Sequence, residues 1–134
     1  MEPTESIMIP FYRHLGKIFY SIAASDKMVN EKEVNMLKRM VQSDWINLEN
    51  SLDDFGEDAA NQIEIVFDWL LENEWDRTTV FKEFAEFKSI HELIFTERVK
   101  GMILKTANNI AEVYAGKNKS ELVMISQLYS ILTK

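Results

Sequence analysis

Apolar residues recur at spacings of three and four along almost the whole chain, and little interrupts them. Only four glycines and two prolines stand among its 134 residues, which leaves few sites for tight turns. Phe11, Leu15, Ile18, Phe19, Ile22 and Ala23 share one stripe of a helix that should end near Ser25. Val34, Leu37 and Val41 mark a second helix over about 31–41. After a loop around Asp53-Asp54-Phe55-Gly56, a third carries Ile63, Val66, Phe67, Leu70 and Leu71. Asp76-Arg77-Thr78-Thr79 breaks the pattern and offers N-cap residues for a fourth, with Phe81, Phe84 and Ala85. A fifth starts near Thr96 and presents Val99, Met102, Ile103, Thr106, Ala107 and Ile110, with Gly116 placed to end it. Leu122, Ile125, Leu128 and Leu132 mark the last. No segment shows the alternation of a strand. The pattern predicts an all-α fold in one compact domain of six helices, or seven with a short turn near Leu48. At this length one domain is also the expectation from size.

The chain echoes itself. A shift of 88 residues pairs Lys17 with Lys105, Ile22 with Ile110 and Ala23 with Ala111, then Asn30 with Asn118, Glu33 with Glu121 and Met36 with Met124. The shift also lays helix–loop–helix on helix–loop–helix. We read two pseudo-repeated hairpins, about 9–42 and 97–133, flanking a central helical insert of about 48–93.

The most specific local signal lies between the first two helices. In Ala23-Ala24-Ser25-Asp26-Lys27-Met28-Val29-Asn30-Glu31-Lys32-Glu33-Val34, the spacing of Asp26, Val29 and Glu33 matches the second half of a calcium-binding EF-hand loop. The first ligand positions of such a loop would fall on Ile22 and Ala24, which cannot coordinate, and Lys27 replaces its glycine. A true EF-hand is excluded. Asn30-x-x-Glu33 and Asn118-x-x-Glu121 also have the spacing of a capping box, in which Asn accepts from a first-turn amide and Glu reaches back to the Asn amide. Capping and cation binding both remain open for these glutamates, since a carboxylate has two oxygens.

An Ile-Ala-Ala that closes one helix, followed by Asp-x-x-Val-x-x-x-Glu opening the next, resembles the TerB-like family, named for bacterial tellurite resistance proteins. The resemblance covers most of the chain. It implies an all-helical fold of two pseudo-repeated hairpins and a metal site shared between the repeats. Carried over position by position, it assigns Asp26, Glu33 and Glu121 as metal ligands, while Tyr114 occupies the second aspartate position and Gly116 lies two residues beyond the usual glycine. An oxygen-only set would suit Ca²⁺ or Mg²⁺, or Mn²⁺. Lys27 and Lys117 are close enough in sequence to offset the acids without an ion. The implied function is a non-catalytic cytoplasmic module, associated with tellurite or metal stress, that binds partner proteins and has acidic residues able to take a divalent cation. The alternative is a purely structural helical interaction domain with no metal site.

Composition narrows the classes further. Fifteen basic against 22 acidic residues give a net charge of −7. That disfavours nucleic acid, whose affinity rests on cations neutralising phosphates, and docking on anionic membranes. There is no cysteine, hence no disulfide and no thiolate ligand or nucleophile, which fits a reducing compartment. No run approaches the roughly 20 apolar residues of a transmembrane helix, and Met1-Glu2-Pro3-Thr4-Glu5 lacks the basic start of a secretory signal.

The remaining candidates are weaker. His14 and His91, the two histidines, read as surface or half-buried side chains. Asp53-Asp54 and Glu57-Asp58 read as solvated charges ahead of a helix rather than an acid–base pair. No nucleophile elbow, zinc-protease motif or phosphate-binding loop occurs, so an enzyme is not expected. Met28, Met36 and Met40 read as core fill. Phe87 falls off the face shared by Phe81, Phe84 and Ala85, and is expected to be exposed, with Trp75, as a partner contact in the insert.

Overall fold

A computed structural model describes residues 5–25, 29–73, 78–113 and 119–134. Six α-helices follow one another: α1 (Glu5–Ala23), α2 (Glu31–Ser43), α3 (Gln62–Glu72), α4 (Val80–Ile90), α5 (Glu97–Glu112) and α6 (Lys119–Thr133). Three single 3₁₀ turns punctuate them, at Trp45–Asn47, Ala59–Asn61 and Glu92–Ile94. The first is the short turn expected near Leu48. The described residues hold no sheet, only an isolated antiparallel bridge between Leu52 and Asp58. Among them no helix is long and apolar enough to cross a membrane.

α1 is the axis of the molecule. Its apolar stripe, Met8, Phe11, Leu15, Ile18, Phe19 and Ile22, is at most 1% exposed, because α3, α4, α5 and α6 all pack around it. The helix starts earlier than its stripe suggests and runs through Pro10. The pyrrolidine withholds one N–H from the ladder, but only about one turn of helix lies upstream of it. α1 and α3 come close together at Gly16. A Cβ there would stand 2.8 Å from the Ile63 carbonyl oxygen and 2.9 Å from Val66 Cβ.

Helix starts are set locally. Asn30 Oδ1 accepts from the Lys32 amide at 2.8 Å, and Glu33 Oε1 accepts from the Asn30 amide at 2.8 Å, closing the capping box of α2. Thr96 caps α5 through the Val99 amide. Thr79 precedes α4 without such a bond, donating instead to Glu83 Oε2. The start of α6 at Asn118, the candidate cap Asp76, and Gly116 lie outside the described residues.

α2 and α6 begin at residues 31 and 119, the same 88-residue offset that the sequence echo shows. Burial follows the offset too: Ile22 and Ile110 are inaccessible, and Ala23 and Ala111 are each 1% exposed. The packing differs, however. α6 folds back along α5, whereas α2 has its closest backbone neighbours on α5, on the turn that follows it, and on α3.

Candidate functional site

The three acids singled out in the sequence are reached from the helix starts. Glu33 and Glu121 each occupy the third position of their helix and are buried, 5% and 3% exposed. One Glu33 oxygen is committed to the Asn30 amide. Asp26 lies outside the described residues, as do Lys27, Tyr114 and Lys117. Among the described residues no three of His, Asp and Glu gather in a way that would hold an ion.

The loop between α2 and α3 departs from expectation. Asp53 was expected to be a solvated charge, but it is buried and organises the turn. Its Oδ1 accepts from the Phe55 amide at 2.9 Å and the Glu57 amide at 3.1 Å, while Gly56 turns the chain at φ +76°. Burial pushes the Asp53 carboxyl up, but those two amides, the Gln62 side chain and the Arg13 charge together hold it below the usual carboxylate range. Asp58 caps the 3₁₀ turn ahead of α3 through the Ala60 amide at 3.0 Å. Its pKa is raised, first by burial and then by the neighbouring charges of Glu49 and Asp53. Nearby, the Tyr12 hydroxyl donates to Glu49 Oε2 at 2.6 Å, and Ser51 donates to the other oxygen. Burial first, and then Glu49, hold that phenol far above its ordinary pKa. These carboxylates are acceptors fixed by the fold.

Asp53 also reaches the surface. Its Oδ2 accepts from Gln62 Nε2 at 3.1 Å, and Gln62 Oε1 accepts from Arg13 Nε at 3.0 Å. Arg13 and Lys17 of α1, with Gln62, Ile65, Val66, Trp69 and Leu70 of α3, line an open groove of about 300 Å³. Trp69 and Ile65 are 54% and 49% exposed on its wall. Beyond the turn signal Asp53-x-x-Gly56, nothing in the sequence points to this groove, since its walls are distant in the chain.

The histidines flank one ring. Phe87 was expected to be exposed, yet it is half-buried, with its centroid 4.7 Å from His14 and 4.6 Å from His91, against Phe11 and Phe95. α1 covers the side of α4 that the stripe on α4 leaves bare. Trp75 lies outside the described residues. Met40 is 6% exposed and accepts from Asn109 through its sulfur, and Met36 packs against the core, as core fill requires; Met28 lies outside the described residues.

Comparison with protein-family models, with curated proteins and with solved structures returns no match.

Proposed function

We propose that the chain is a non-catalytic, cytoplasmic helical module of the TerB-like kind, stress-associated, which binds partner proteins and takes a divalent cation through Asp26, Glu33 and Glu121. The observation that carries this reading is the matched burial of Glu33 and Glu121, one at the third position of each of two helices whose starts lie 88 residues apart. Carboxylates held at matched positions of two helix starts are the oxygen ligands that a hard cation takes.

A second reading has its own support. Glu33 closes a complete capping box, which is reason enough for a glutamate there, and the chain is then a helical interaction domain with no metal. Thermal melts in millimolar Ca²⁺, Mg²⁺ and Mn²⁺ separate the two. Glutamine preserves a capping box, so Glu33→Gln keeps the cap and removes the charge. A melting temperature that rises by several degrees with cation in the parent, and not in Glu33→Gln or Glu121→Gln, supports the cation. A flat response in the parent leaves the glutamates as structural acceptors and the second reading in place.

A further inference from the structure

The groove between α1 and α3 has the composition of a binding site for a particular kind of partner. Trp69 and Ile65 are large apolar side chains about half exposed beside each other on one helix face, and Trp and Arg are the residue types that dominate binding energy at interfaces. A volume of about 300 Å³, at the small end of ligand pockets, holds one or two side chains. The charge of the groove opposes that of the molecule. In a chain of net charge −7, its lining contributes Arg13 and Lys17 and no carboxylate. Two of the three acids of α3 are drawn to α2 instead, where Glu64 accepts from Gln42 at 2.6 Å and Asp68 pairs with Lys38 at 3.4 Å, while the third, Glu72, ends the helix outside the lining. The arginine is also held in place. Asp53 holds Gln62, and Gln62 holds Arg13 Nε, so less freedom is lost when the guanidinium meets a carboxylate.

We infer that this groove docks an acidic, amphipathic segment of a partner protein, which sets apolar side chains against Ile65 and Trp69 and a carboxylate against Arg13 and Lys17. The inference rests on the chain's being a binding module and names the surface and the chemistry it selects. Two cations in so acidic a chain are too few to hold an anionic membrane or a nucleic acid.

Selection of a random twelve-residue peptide library on the full chain tests it. The expected peptides carry Asp or Glu within four residues of a bulky apolar side chain. A synthetic copy of the leading peptide should bind at least tenfold more weakly to Trp69→Ala and to the Arg13→Glu/Lys17→Glu pair. Replacing its acid by lysine should restore binding to the charge-reversed pair, which also shows that this variant is folded. Arg13→Gln, a milder change, should weaken binding and reduce its salt dependence. Selected peptides that lack acids, or that bind Trp69→Ala and the charge-reversed pair undiminished, overturn the groove while leaving a binding module elsewhere on the surface. An absence of any enriched peptide overturns both. A concentration-dependent dimer in sedimentation, abolished by Trp69→Ala, overturns the proposed occupant in favour of a second copy of the chain.

Discussion

The indole N–H of Trp45 donates to Thr106 Oγ1 at 3.0 Å across the centre of the core, joining positions 61 residues apart. Both side chains are inaccessible to water, and the threonine hydroxyl donates in turn to the Met102 carbonyl at 2.8 Å. One hydroxyl thus ties the turn after α2 to α5. Thr106→Val keeps the volume and removes the acceptor. It should destabilise the fold by about 1–3 kcal/mol, the cost of leaving a buried donor unmet. Thr106→Ser keeps the acceptor and should lose only about 0.8 kcal/mol for its missing methyl. Urea unfolding of the two variants distinguishes a hydrogen-bond cost from a packing cost.

Two glycines inside helices should respond to alanine with opposite signs. At Gly16 the added Cβ meets the Ile63 carbonyl oxygen and Val66 Cβ at under 3 Å, so Gly16→Ala must push α1 and α3 apart, at about 1–3 kcal/mol. At Gly101, exposed on α5, it meets nothing within 4 Å. Gly101→Ala should stabilise by up to about 1 kcal/mol through helix propensity alone. Equal shifts in the two melting temperatures would refute the close approach.

Phe87 and Trp69 should also part company. Phe87 sits between two imidazoles and against Phe11, so Phe87→Ser should cost roughly 2–4 kcal/mol, somewhat less than a fully buried Phe. Trp69 is more than half exposed, and Trp69→Ser should change stability by less than about 1 kcal/mol. Calorimetry of the pair checks the ranking, and a larger loss at Trp69 would reverse the assignment of core and surface.

Acid should weaken the fold in two steps. Burial first, and the Lys17 charge second, lower the His14 pKa below its ordinary 6.5, with Glu83 opposing them. The unfolded chain therefore binds this proton more readily, and stability falls as pH drops from about 6.5 through the lowered value. Asp53 is held below its ordinary 3.8 against the pull of burial. Its contribution is complete above that value and is lost as pH falls through the lowered one. Asp58, raised by burial, acts in the opposite sense above 3.8 and returns some stability between the two steps. Urea midpoints from about pH 3 to 8 should show the upper step vanish in His14→Gln and the lower one shrink in Asp53→Asn.

What the sequence disclosed was mostly what neighbours along the chain decide. The stripes Phe11–Ala23 and Val99–Ile110 are legible because turns of one helix bring their members to one face, and α1 and α5 both bury that face. The Asn30–Glu33 cap is legible because its partners lie three residues apart. Periodicity names a face without saying what covers it. Leu71 and Leu122 continue apolar stripes and yet are 39% and 50% exposed. Lys88 lies on the buried side of α4, 3% exposed, because its stem packs inward while Nζ reaches Glu92 at 3.1 Å and the Lys134 carbonyl at 3.3 Å. Phe87, Arg13 and Asp53 were misjudged or missed for one reason: their partners arrive from elsewhere in the chain.

The seating of α2 on α5 governs the order in which the molecule can be made. A 13-residue helix is marginal in water by itself, and α5, against which it packs, is synthesised roughly fifty residues later. On the ribosome, α2 therefore meets only the turn that follows it and α3 until α5 has emerged, and the side that α5 covers stays open to water until then. Contacts of such long reach slow folding. The half of the protein written first is completed by the half written last.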